Sequence, residues 1–255
     1  MAQQKGVIKL GGTLGDLTFY KTKDGYFARE KGGISGERIA SDPAFQRTRE
    51  NGAEFGRAGR AGRVLRSAFR GVLQNASDRG MSSRLTALML KVIQADAVSP
   101  RGLRNVIDGE AELLLGFEFN AEGKLGASLH VPFTCRIDRA AGTLEAIIPS
   151  YIPSDMISAP GGATHYRLAS AGAAVDFEKE TFVSDSATSP VLPWNSVPVA
   201  ELTLSNTVGA GSRHPLFLVL GIEFYQEVNR QMYPLKNGSH NAMALIGVNG
   251  SGNNG

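Results

Sequence analysis

The apolar positions of this 255-residue chain fall into three successive patterns. The first thirty residues carry short β-prone runs. Val7, Ile8 and Leu10 make one apolar segment, broken at Gly11-Gly12, and Leu17-Thr18-Phe19-Tyr20 make a second, rich in strand formers. Asp24-Gly25 predicts a hairpin with a type I′ turn, whose two central residues need positive φ, and Tyr26-Phe27-Ala28-Arg29 reads as the returning strand. Strands of this size bury no core by themselves. They have to add to another sheet, to the helix that follows or to a second subunit.

After a glycine-containing connector over 31–40, the period becomes helical at Asp42-Pro43, with the acid as N-cap and the proline at the first helical position. A helix is expected over 44–73, interrupted near one of its glycines. Ala58, Ala61, Leu65, Phe69 and Val72 share one arc, an ordinary core face. Phe45, Gly52, Phe55, Gly56 and Gly59 occupy a neighbouring arc that is half aromatic and half bare backbone. Past a turn at 75–80, Leu85, Leu88, Met89, Val92 and Ile93 give a second buried stripe. That helix ends before Ser99-Pro100, because proline disfavours helix in the residue ahead of it, and 101–107 reads as a short extra turn. The two helices predict an αα-hairpin.

Beyond residue 110 the segments at 113–119, 127–137, 142–149, 165–177, 200–208, 216–228 and 242–248 are strand-like and separated by turn signals. Proline- and serine-containing loops are expected at 149–160 and 184–198. The predicted fold is α+β: an N-terminal β-hairpin and αα-hairpin, then an antiparallel β-sandwich of jelly-roll or immunoglobulin type. The expected division is a hairpin-plus-helices module over 1–107, a β-sandwich domain over 108–248 and a flexible tail over 249–255.

Charge changes the picture only locally. A net charge of +3 is small for this length. Yet Arg47, Arg49, Arg57, Arg60, Arg63, Arg66 and Arg70 crowd one predicted helix against only Glu50 and Glu54. Gly52, Gly56, Gly59 and Gly62 are interleaved with them, each costing a helix about 1 kcal/mol relative to alanine. Such a cost asks for a reason, and close contact with another chain or a ligand supplies one.

The run GGTLGDLTFYKTKDGYFAREKGG, followed by RIASDPAFQRTRENGAEFGRAGRAGRVLRSAFR, resembles the opening of a family of uncharacterised bacterial proteins. Members share a glycine-led strand, a TFYK-x-KDG hairpin and a DPAF-x-RTREN helix start. The resemblance covers roughly the first 75 residues. It implies a family module with no catalytic residue attached to it.

No enzymatic signature emerges elsewhere. Gly11-Gly12-Thr13-Leu14-Gly15 lacks the Gly-Lys-Ser/Thr and the helix of a phosphate loop, so its glycines read as turns. His130, His165, His214 and His240 have no partner at metal-ligand spacing. The serines lack a nucleophile elbow, and Cys135, in the apolar run HVPFTCRI, reads as an inert buried thiol. No catalytic, cofactor or metal site is assigned and no small-molecule substrate is evident. The chain carries no leader-like apolar stretch and no apolar run long enough to span a bilayer, which predicts a cytoplasmic protein with no membrane partner, open to release as part of a particle.

Three functional readings remain. The leading one is a non-enzymatic structural subunit that self-assembles into a homo-oligomer, extending to a filament, tube or shell where the contact does not close. Its expected contacts are Phe19, Tyr20 and Tyr26 on the hairpin and Arg47, Arg49, Arg57, Arg60 and Arg63 on the helix. The alternative sets the arginines of the 44–73 helix on nucleic-acid phosphates. The third is a carbohydrate-binding β-sandwich, whose sign is an exposed platform of Trp194, Tyr151 and Tyr166. Against all three stands a solvated charged helix that covers its own β-domain.

Overall fold

The computed structural model describes residues 2–30, 33–235 and 240–250. It divides into two compact units, Met1–Arg49 and Glu50–Gly255. The boundary expected near residue 107 falls inside the second unit. The apolar faces of its helices share one core with a β-sheet, so contacts do not thin out there.

The first unit holds an antiparallel sheet of β1 (Ala2–Gln3), β2 (Gly12–Leu14), β3 (Leu17–Thr22) and β4 (Gly25–Glu30), in the order β1-β4-β3-β2. The β3–β4 hairpin forms, but with a different turn. Thr22 pairs with Gly25, Asp24 keeps a negative φ, and the positive φ falls on Gly25 alone, at 125°. Val7, Ile8 and Leu10, expected as a strand, lie outside every strand and are exposed. The connector contains a helix that its glycines conceal, α1 (Gly36–Ser41), where Ser35 Oγ accepts from the N–H of Arg38 at 3.3 Å. Asp42 then caps a 3-10 turn over Pro43–Phe45, its carboxylate accepting from Ala44 N–H at 2.9 Å.

The long helix α2 (Gln46–Ala68) follows, and the division between the units falls within it. The interruption comes at Phe69, whose buried ring meets Phe119 edge-on, rather than at a glycine; α3 (Arg70–Leu73) continues beyond it. The second stripe forms α4 (Met81–Gln94), and 101–107 carries turns without helix.

The strands of the second unit are β5 (Thr134–Asp138), β6 (Thr143–Ile148), β7 (His165–Asp176), β8 (Thr181–Thr188), β9 (Leu192–Pro193), β10 (Leu202–Thr207), β11 (Leu216–Val228), β12 (Gln231–Pro234) and β13 (Ala242–Asn249). All pairings are antiparallel. A small sheet runs β10-β6-β5. In the larger one β7 and β11 are central, with β8 and β9 on the far side of β7 and β12 and β13 on the far side of β11.

Strand alternation explains why β7 and β11 are buried nearly throughout. Ala169, Ala171, Ala173, Val175, Phe217 and Val219 point into one core with Ala58, Leu65, Phe69, Leu85 and Met89 of the helices. Leu168, Ala174, Leu216, Leu218 and Leu220 point the other way, into a second core with Leu144, Ala146, Ile148 and Leu204 of the small sheet. Gly172 lets the sheets close: a Cβ there would stand 3.0 Å from Asn206 Cβ and 3.3 Å from Leu144 Cβ. The fold is therefore α+β with a sandwich-like C-terminal part, in which helices cover the outer face of the large sheet.

Three expected elements differ. Residues 113–119 give part of a 3-10 turn over Ala111–Leu114 and one isolated bridge, Glu118 to Ala244, instead of a strand. Of 127–137, only 134–137 belongs to a strand, and Leu129 makes an isolated bridge to Ile157. The strand β8 was not expected. In the predicted tail, Asn249 ends β13 and Gly250 N–H donates to Glu112 Oε1 at 2.8 Å, while 251–255 lie outside the described residues. Among the described residues no helix is long and apolar enough to cross a membrane.

Candidate assembly surface

The N-terminal sheet has two apolar faces and no interior. Cross-strand partners share a face, so the register Leu14↔Leu17, Phe19↔Ala28 and Lys21↔Tyr26 gathers Leu14, Leu17, Phe19, Tyr26 and Ala28 on one side. Tyr20 and Phe27 pair on the other, stacked with ring centroids 6.2 Å apart. Cations lie over the rings: Lys9 Nζ and Lys21 Nζ at 5.8 and 5.5 Å from Tyr26, and the Arg29 guanidinium at 5.5 Å from Tyr20. No described residue up to Arg49 is buried, and Leu14 remains 72% exposed. Residues 1–49 carry nine Lys and Arg against five Asp and Glu, and so more than account for the chain's net charge of +3.

The glycine arc of α2 is also uncovered. Phe55 is 58% exposed, and a Cβ on Gly52 or Gly59 would meet no atom within 4 Å. Gly62 differs, facing Leu85 at 3.6 Å. The five arginines expected as contacts separate into three kinds. Arg49 binds its own unit, donating to the carbonyls of Ile39 at 2.7 Å and Asp42 at 2.9 Å. Arg57 clamps a loop of the second unit: its guanidinium donates to the carbonyls of Gly102 and Arg104, while buried Glu54 accepts from Gly102 N–H at 2.8 Å. Arg60 and Arg63 converge on Glu180 in the β7–β8 turn, at 3.4 and 2.5 Å. Only Arg47 is exposed with no hydrogen bond or ion pair among the described residues, a condition it shares with Arg70. Sequence spacing shows that arginines share a helix but not which loops supply carbonyls to them. The face-sharing of Leu14 and Leu17 with Phe19 was missed as well, although period-two alternation in the hairpin encodes it.

The remaining chemistry is structural. Tyr151 and Tyr166 are buried with hydroxyls 2.7 Å apart, and burial pushes both phenol pKa values up. Only Trp194 is partly exposed, its indole N–H donating to the Ile157 carbonyl at 3.1 Å. The three rings therefore form no exposed platform. Cys135 is half-buried, and desolvation raises its thiol pKa. Among the described residues no group of three or more His, Cys, Asp or Glu side chains is placed to hold a metal ion. A cavity of about 380 Å³ opens beside Arg57 and Arg60, but Glu178 and Glu180 line it too, and both guanidinium groups are engaged within the chain.

Buried Glu223 accepts from Arg167 at 2.6 Å, Tyr225 Oη at 2.9 Å and Asn75 at 3.2 Å. Burial and that carboxylate push the Tyr225 pKa up to about 12. These bonds tie the loop after α3 to the central sheet.

The chain matches no protein-family model and no curated protein. One solved structure, described as "pH-induced modulation of Streptococcus parasanguinis adhesion by Fap1 fimbriae", aligns over 49% of this chain and 84% of that one, at 10% identity and a TM-score of 0.22. That superposition is too loose to carry an argument about fold or role.

Proposed function

We propose that this protein is a non-enzymatic structural subunit that self-assembles into a homo-oligomer, with its N-terminal sheet completed by a second copy. One observation carries the reading: a four-stranded antiparallel sheet in which no described residue is buried. A sheet needs an apolar face packed on something to be stable. Here Leu14, Leu17, Phe19 and Tyr26 offer such a face. Phe55 and the bare glycine backbone of α2 offer a second place for close approach. A head-to-tail contact of this kind gives a filament or tube, and a self-complementary one stops at a dimer. The resemblance of the first 75 residues to an uncharacterised bacterial family fits a reusable assembly module. With one cysteine and no disulfide framework, we infer assembly in the cytoplasm.

Size-exclusion chromatography with light scattering at low and high salt tests this. The expected result is a species well above 27.1 kDa that is free of nucleic acid, reduced to monomer by Phe19→Ser with Tyr26→Ser. A monomer at both salts contradicts it. High 260 nm absorbance lost at high salt would instead favour phosphate binding. That alternative has fewer free guanidinium groups to draw on than the sequence suggests, since Arg57, Arg60, Arg63 and Arg66 all have partners within the chain.

A further inference from the structure

One strand-like segment of this chain is left unpaired and one long strand has no ladder on its outer edge, and we propose that they pair with each other between copies. Residues 5–9 of one subunit add as a strand to the outer edge of β8 in the next. This rests on the homo-oligomer reading and specifies its contact.

The donor is the segment whose apolar pattern predicts a strand that the isolated chain does not form. Val7 is 101% exposed, Ile8 81% and Leu10 48%, which is a large cost for β-branched and aliphatic side chains to leave unburied. A clasp holds the base of the loop. Gln4 Oε1 accepts from Leu10 N–H at 2.8 Å, and Gln4 Nε2 donates to the Leu10 carbonyl at 3.3 Å. Beyond the clasp, the backbone of residues 5–9 makes no hydrogen bond among the described residues. Its donors and acceptors are free for a ladder.

The acceptor is an edge guarded by a single acidic side chain, Asp185. The chain covers the opposite edge of the same sheet with its own backbone. Gly116 N–H donates to Leu245 O at 2.8 Å, Leu245 N–H to Phe117 O at 3.0 Å, and Phe119 N–H to Met243 O at 2.9 Å, all along β13. On the β8 side no backbone ladder of that kind exists among the described residues. The strand runs eight residues and pairs only with β7, and on its other side the Asp185 carboxylate accepts from Ser186 N–H and from Thr207 N–H of β10, each at 2.8 Å. Natural edges are blunted by shortness, bulges, prolines or lysines. β8 has an unbroken register and no proline or basic residue, and it leaves Phe182 40% and Val183 57% exposed.

Charge does not oppose the pairing: the donor carries Lys5 and Lys9, β8 carries Asp185, and the turn before it carries both Glu178 and Lys179. Main-chain bonds would supply the affinity and the alternating apolar side chains the register. Because every copy holds one donor and one acceptor, the contact is heterologous and propagates unless a ring closes.

The test uses full-length chains carrying Cys135→Ala. Copies with Ile8→Cys and one tag are mixed with copies carrying Val183→Cys and another, under mild oxidation, with light scattering on the same samples. The control replaces Val183→Cys by Thr203→Cys, on the exposed face of β10. Mixed disulfide should exceed that control by about tenfold, as a shared contact raises effective concentration. Separately, Val183→Lys, an exposed substitution of the kind that blocks edges, should lower the assembly mass. Assembled chains whose mixed disulfide matches the control, or whose mass survives Val183→Lys, overturn the strand addition and leave the oligomer standing. Chains that remain monomeric throughout overturn both.

Discussion

The sheet of residues 2–30 and the large sheet of residues 165–249 are built from the same materials, antiparallel ladders of aromatic and branched side chains. They differ in what covers them. The large sheet has helices on one face and a second sheet on the other, and its central strands β7 and β11 are buried almost end to end. The N-terminal sheet forms its antiparallel ladders and has no buried residue among those described. Hydrogen bonds alone contribute little net stability, since the unfolded chain bonds to water equally well. Apolar burial is what separates a stable sheet from one that needs a partner.

The sharpest way to break that comparison is one kind of substitution in both sheets. Phe217→Ala, in the buried β11, should destabilise the second unit by about 3–5 kcal/mol. Phe27→Ala, at a half-buried ring of the N-terminal sheet, should change denaturant unfolding of the monomer by no more than about 1 kcal/mol. Equal effects would mean that both sheets have cores.

Next in size is the arginine contrast. Arg57→Ala strips the donor from the Gly102 and Arg104 carbonyls and should cost about 1–3 kcal/mol in thermal or denaturant unfolding. Arg47→Ala should leave monomer stability unchanged, so any loss of assembly on that change marks an intermolecular contact.

Acid should act on the second unit first. Burial alone would raise the pKa of Asp78 and Asp96. Backbone N–H groups outweigh it, from Ala121 with help from Arg84 at Asp78, and from Ser99, Asn105 and Val98 at Asp96, holding both carboxyls below their ordinary 3.8. Groups depressed in the folded state contribute stability that is full above the unfolded pKa and lost as pH falls through the folded one. Melting temperature should therefore drop below about pH 4, and Asp96→Asn should flatten that drop.

The smallest effect has the most informative sign. Gly59→Ala meets open space and should stabilise the helix in the monomer by about 1 kcal/mol. If the glycine arc packs against another copy, the same change weakens assembly while raising the melting temperature.

Much of this was legible in the sequence because it rests on local periodicity. The core faces of α2 and α4, the β3–β4 hairpin and the long strands β7 and β11 all follow from spacing two or 3.6. β8 was not legible. TFVSDSAT is polar and exposed on both faces, so no alternation marks it, and only pairing with β7 makes it a strand. Residues 113–119 failed in the opposite way: they are apolar and bond along β13 through Gly116, Phe117 and Phe119, but a 3-10 turn over Ala111–Leu114 takes up the start of the segment and only a single bridge remains. The arginine cluster was read correctly as a helix but not as a set of partners, because Glu180 and the carbonyl of Arg104 come from distant loops.

Hydrogen exchange followed by mass spectrometry, at concentrations above and below dissociation of the assembly, tests the central claim most directly. Amides of residues 17–30 should be protected in the assembly and exchange at least about a hundredfold faster on dilution, while those of β7 and β11 stay protected in both. Slow exchange of residues 17–30 in a chain shown by light scattering to be monomeric would contradict the account, because the N-terminal sheet would then be stable without a partner.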